Sequence, residues 1–246
     1  SHPDLAGRLS GVHNFVDRSN RRFRADIHGT AVAGVIAANA NNQIGIVGVA
    51  PDARVLALKA CEQSGSNSRA AVCNSFTLAK AIDFAIDQRA DIINLSLAGP
   101  RDELLERLID VAVEGGAVVV GAVGRTDDFP FPAAADNVIA VANEKSASAG
   151  TTPLQAPGNQ VVSTVPGSEY DFFSGSSIST AYVSGVVALI RQRKPHLSAA
   201  VVEELLHLTS SKVSGLANAC DALARIVDGE ACPTANGTGT VAETTR

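Results

Sequence analysis

Ser177 stands where a turn of small residues, Ser174-Gly175-Ser176, becomes an apolar helix. A hydroxyl at a helix N-terminus lies beside backbone N–H groups that have no partner within the helix. Those groups can cap the helix, or stabilise an oxyanion if the hydroxyl attacks a carbonyl. Taken alone, the stretch reads first as a serine-rich cap. The second candidate is His28, in Asp26-Ile27-His28-Gly29-Thr30, at the head of the small apolar run Ala31 to Ala38. That run is apolar all round, which predicts a buried helix whose packing fixes the histidine. Alone, His28 reads first as structural. Together the two supply a nucleophile and a general base, two of the three parts that acyl transfer needs.

The elements that would position them follow a repeating order. Arg54 to Ala60, Asp91 to Leu97, Ala117 to Val123, Asn137 to Ala142 and Val161 to Thr164 are strand-like runs. The first four are continuously apolar rather than alternating. Phe76 to Gln88 and Glu103 to Glu114 carry apolar residues at helical spacing, and Gly115-Gly116 stops the second. Thr180 to Lys194 predicts a long apolar helix, and Ser198 is expected to cap the next one, through Leu208. Alternating strands and helices with fully apolar strands predict an α/β fold: a three-layer α/β/α sandwich around a mainly parallel sheet. Sites in such folds form at the carboxyl ends of strands. His28, Ser96 to Pro100, Gly124-Arg125 and Ser177 all fall at strand ends or helix starts.

Composition narrows the class. The chain has 246 residues and a net charge of -5, with 4% aromatics and no basic stripe, which speaks against a nucleic-acid partner. No apolar run approaches the roughly 18 residues that would span a membrane. There is no methionine and residue 1 is Ser, so a processed or trimmed product is expected. Four cysteines form two local pairs, Cys61 with Cys73 and Cys220 with Cys232. Two disulfides and an oxidising compartment, secreted or periplasmic, are the favoured reading; four reduced thiols are the alternative. Residues 1–232 are expected to form one domain and 233–246 a flexible tail.

His28-Gly29-Thr30-Ala31-Val32-Ala33-Gly34 resembles the histidine motif of the subtilisin-like serine proteases, and Gly175-Ser176-Ser177 opens a segment similar to their serine motif. His2-Pro3-Asp4-Leu5, Val49-Ala50-Pro51, Ile93-Asn94-Leu95-Ser96-Leu97 and Ala156-Pro157-Gly158 extend the likeness in the family's order over nearly the whole chain. The resemblance implies a secreted bacterial serine endopeptidase that cuts protein or peptide substrates through an acyl-enzyme on Ser177, with His28 as base. It places the extended substrate between two edges, Ser64 to Ser68 (Ser66 among them) and Leu95 to Gly99, which includes Ser96, Leu97 and Ala98. It floors the first specificity pocket with Gly121 to Gly124. Structural calcium is common in the family, although no complete ligand loop is legible here.

Two departures matter. The aspartate that orients the family's histidine ends a strand just before the His-Pro-Asp-Leu loop. Asp4 matches a different position of that loop, Asp17 and Asp26 have no motif support, and Asp26 is poorly placed to reach the His28 ring. A central strand is therefore expected from upstream residues, with the propeptide or the missing N-terminal segment as partner. Arg125 stands where the family has an oxyanion-donating Asn; it could donate, pair with Asp127 or Asp128, or lie in a surface loop. The competing readings are a subtilase-fold protein that binds a peptide or partner without cutting, and an esterase. The esterase's Gly-x-Ser-x-Gly fails because Ser179 replaces the last Gly.

Overall fold

The computed structural model describes residues 2–17, 23, 25–64, 71–124, 130–144, 153–210 and 215–227. Its strands are β1 (Leu9–Asn14), β2 (Val55–Lys59), β3 (Cys61–Gln63), β4 (Ala71–Cys73), β5 (Ile92–Leu95), β6 (Val118–Ala122), β7 (Val138–Asn143), β8 (Leu154–Ala156), β9 (Val161–Val165) and β10 (Glu169–Phe173). Its helices are α1 (Ile27–Ala37), α2 (Ser75–Asp87), α3 (Glu103–Glu114), α4 (Ser176–Arg193), α5 (Ala199–Leu208) and α6 (Ala219–Ile226).

The parallel strands lie in two blocks. β5, β6, β7 and β8 form one four-stranded sheet, and β1 pairs with β2 in another. The larger sheet is covered on both faces, and its residues alternate between them. Val118, Val120, Ile139 and Val141 pack toward α4, α5 and α6, whereas Val119 and Val138 pack toward α2 and α3. Val118, Val119, Val120 and Val141 are wholly buried. Each such side chain stabilises the fold by about 1.5–3 kcal/mol. The expected doubly covered parallel sheet is therefore present.

Capping fixes where the helices begin. Asn74 accepts from the Thr77 N–H at 2.9 Å, Asp102 from Leu104 at 3.0 Å, and Ser198 from Val201 at 3.3 Å. The α4 helix starts at Ser176, four residues before the apolar run that marked it in the sequence.

The β9–β10 hairpin is antiparallel and lies against α1. Ser163 and Thr164 donate to the carbonyls of Ala31 and Thr30, at 2.7 and 2.8 Å. Gly34 makes this approach possible, because a Cβ there would overlap both hydroxyls.

β2 and β5 are not hydrogen-bonded to each other. Both line a single cavity of about 1900 Å³ that also reaches α2, α4, His28 and Ser177. The whole of β2 up to Leu58 is half-exposed, although its sequence, Val-Leu-Ala-Leu, is as apolar as that of a buried parallel strand. A slot thus separates the two blocks, rimmed on each side by a strand whose inward edge has no partner among the described residues.

Cys61 and Cys73 are bonded, stapling the β3–β4 hairpin. Cys220 is also disulfide-bonded; Cys232, its expected partner, lies outside the described residues, as does the expected tail 233–246. Among the described residues no helix is long and apolar enough to cross a membrane.

Candidate active site

Ser177 is the second residue of α4, and two neighbouring strand ends hold the turn in front of it. The Ser176 hydroxyl donates to the Val123 carbonyl just past β6, at 2.8 Å. The Gly175 N–H donates to the Gly158 carbonyl past β8, at 2.7 Å. Gly175 has φ of 139°, a region that disfavours any side chain. It offers no side-chain cap, so the first N–H groups of α4, that of Ser177 among them, remain available to an anion.

Ser177 and Ser96 form a reciprocal pair. The Ser177 hydroxyl donates to the Ser96 carbonyl at 3.1 Å, and the Ser96 hydroxyl donates to the Ser177 carbonyl at 2.8 Å. Asn94 on β5 supports Ser96 by donating from Nδ2 to its hydroxyl at 2.9 Å, and Ser184 on α4 donates to Asn94 Oδ1 at 3.0 Å. This chain of four residues stitches α4 to the end of β5 at Ser177. Sequence reasoning had not given Asn94 and Ser184 a role. The signal was there: each is a polar residue inside an otherwise apolar strand or helix, and a buried polar group demands a partner.

His28 is the second residue of α1. Asp26 caps that helix, with Oδ1 accepting from the Gly29 N–H at 2.7 Å. The His28 ring makes no hydrogen bond with any described residue, and the Ser177 hydroxyl is turned to Ser96 rather than to His28. Burial holds the imidazole below its ordinary value of 6.5, partly offset by the nearby Asp26 carboxylate. The ring is therefore neutral near pH 7, which is the state a general base requires.

His28, Ser177, Ser96, Leu97, Ala98 and Gly99 line the same cavity, so the structure brings most of the expected site residues together. Gly124 follows β6 near the Ser176 anchor but is not part of that lining. Ser66 and Arg125 lie outside the described residues. Along the expected substrate edge, Gly99 gives its own N–H and C=O to Phe131, at 3.0 and 3.1 Å, so that rung is already taken.

Asp4 serves a different purpose. Wholly buried, it accepts from Asn42 Nδ2 at 2.6 Å, the Ile46 N–H at 2.9 Å and the Tyr170 hydroxyl at 2.9 Å. Burial raises its carboxyl, but the hydrogen bonds from Asn42, Ile46 and Tyr170 outweigh this and hold it below 3.8. Burial, together with Asp4, pushes the Tyr170 phenol up to about 12. Three donors thus engage the two Asp4 oxygens. Among the described residues no three His, Cys, Asp or Glu side chains converge as a metal site.

Residues 1–224 match the model of the Subtilase family, Peptidase S8. The chain is 37% identical to thermitase of Thermoactinomyces vulgaris over 226 residues, spanning 87% of this chain and 78% of that protein. It is 36% identical to an intracellular serine protease of Paenibacillus polymyxa, spanning 92% of this chain and 78% of that protein. Among solved structures it resembles fervidolysin of Fervidobacterium pennivorans, a keratinolytic enzyme related to subtilisin, with a TM-score of 0.76 and 26% identity over 90% of this chain and 40% of that one. A helix-borne serine, a helix-borne histidine and a doubly covered parallel sheet therefore occur here in a chain that belongs to the subtilase family, a family of serine endopeptidases.

Proposed function

We infer that Ser177 is the nucleophile of this endopeptidase, that His28 is its general base, and that the working enzyme carries one more strand, seated between β2 and β5. The observation that carries the reading is the asymmetry of the cavity. The serine is anchored, and among the described residues the histidine ring has no orienting partner and the slot beside it is rimmed by two unpaired strand edges. An extended segment there would close the sheet by pairing with both edges. A carboxylate at its carboxyl end would hold the imidazole and stabilise its charged form during acyl transfer. The upstream segment expected from the family motif is the natural occupant.

In the reaction, His28 takes the Ser177 proton as Oγ attacks the substrate carbonyl. The oxyanion meets the free N–H groups at the head of α4. The substrate lies along Leu97 and Ala98, and Arg125 is the candidate side chain for the second oxyanion donor. The serine protease relatives do not favour a binding protein that has lost catalysis.

Hydrolysis of an unstructured protein, measured on the chain extended upstream, tests the reading. Activity that vanishes in both Ser177→Ala and His28→Ala is expected. Retention of activity in Ser177→Ala would exclude the assignment. The Cys61–Cys73 bond supports work in an oxidising compartment, outside the cytoplasm. Intact mass of the purified protein should then rise by about 4 Da on reduction, the change for two disulfides.

A further inference from the structure

Asp26 uses every oxygen it has. Oδ1 caps α1 through Gly29, and the main-chain oxygen accepts from the Thr30 hydroxyl at 2.6 Å. Oδ2 is paired with Lys59 Nζ. Lys59 ends β2, and its side chain is only 7% exposed, against 24% for Asp26. Burying a lysine that deeply is costly unless its charge is matched, so the pair is a fixed feature rather than a surface contact. It ties the end of β2, on the rim of the slot, to the first turn of α1, which bears His28.

We propose that Asp26 is a positioning residue for His28. In this view the α1 cap and Lys59 hold its carboxylate in place, it fixes the turn that carries the imidazole, and its charge, moderated by Lys59, stabilises the protonated ring. The proposal rests on the reading of His28 as the base. Asp26 does not touch the ring's proton path; it acts through the helix cap and through its field. The described elements around α1 offer few rivals for that field. Lys59 is the one charged residue of β2, β9 has none, and the first turn of α4 is uncharged. His2 and Asp4 of the N-terminal turn are engaged with Glu169, Asn42, Ile46 and Tyr170. Among the described residues, Asp26 is the charged group whose field reaches His28.

The motif shows why this was hard to read from sequence. A capping Asp before a helix is ordinary, and a Lys at a strand end reads as a solvated terminus. Only their meeting across 33 residues gives the pair its meaning.

The test is direct titration of the His28 ring by NMR in three variants of the 246-residue chain. Asp26→Asn keeps a good cap and removes the charge, and His28 should titrate at lower pH than in the parent. Lys59→Gln frees the Asp26 charge, and His28 should titrate at higher pH. Lys59→Arg should restore the parent value. If Asp26→Asn folds poorly, Asp26→Ser makes the same comparison with another capping residue. Opposite shifts in the two charge-removing variants support the proposal. No shift in either, or shifts in the same direction, overturns it. The titration is independent of turnover. If activity proves indifferent to His28→Ala, the base assignment fails while the titration result still stands.

Discussion

The two sides of the cavity that holds Ser177 and His28 are secured to different degrees. On the serine side, α4 is anchored to the ends of β5, β6 and β8 by hydrogen bonds from Ser176, Gly175 and Ser96, over a core whose valines are wholly buried. On the histidine side, α1 is secured from behind by Ser163 and Thr164 of β9 and in front by the Asp26–Lys59 pair, but the His28 ring bonds to no described residue. The β2 strand beside it leaves one edge and much of its apolar surface open. Both halves come from similar sequence: small apolar helices and continuously apolar strands. What separates them is whether the neighbouring sheet position is filled. A parallel strand is stable when it is paired on both edges and covered on both faces, and β6 meets these conditions where β2 does not.

Substitutions and titrations would break or sharpen this contrast. The largest effect belongs to the proposed nucleophile: in the chain extended upstream, Ser177→Ala should lower kcat by about 10⁶-fold while leaving the melting temperature nearly unchanged. Next comes core packing. Ile139→Ala, at a site 1% exposed beneath α4, should destabilise by about 2–5 kcal/mol in chemical denaturation. Leu56→Ala, on the open slot side, should cost under about 1 kcal/mol in the same assay. Filling the slot should raise the Leu56 cost and leave that of Ile139 unchanged. Equal costs at the two sites in the unfilled chain would contradict the contrast.

Smaller effects follow. Asp4→Asn weakens a buried, triply bonded carboxylate and should cost about 1–3 kcal/mol. Because the Asp4 carboxyl is held below 3.8 in the folded state, its stabilisation is present above that pH and is lost as pH falls below it. A pH-denaturation series comparing parent and variant should therefore converge in strong acid. Finally, His28 is depressed by burial in the 246-residue chain, so NMR titration of its ring there should give a midpoint below 6.5. A midpoint above 6.5 would show that the imidazole is not in the environment described.

Much of this was legible in the sequence, for physical reasons that differ by region. The runs around Val118 to Val120 and Ile139 to Val141 announced themselves because a buried parallel strand has no polar face. Glu103–Glu114 was legible to its ends because an Asp cap and a Gly-Gly stop bracket a clean apolar stripe. Val161 to Thr164 read as a strand and is β9, but β1, β8 and β10 were not legible, being short or carrying exposed polar residues. The Cys61–Cys73 segment read as a polar loop, although its ends pair as strands and the staple itself was foreseen. Of the site, His28 and Ser177 stood out through their motifs. Asn94, Ser184 and Lys59 did not, since their importance lies in contacts that only folding creates. The slot between β2 and β5 did not stand out either, because it is a gap between strands that only folding brings side by side.

The rate at which a fluorophosphonate labels Ser177 tests the central claim most directly. It should be measured on the 246-residue chain alone and on the chain extended by an upstream strand that ends in Asp. Slow labelling of the first is expected. The second should label faster by at least about 10²-fold, with the gain lost when that Asp becomes Asn. Equal labelling of the two, at any speed, would contradict the claim that the histidine side is completed from the slot.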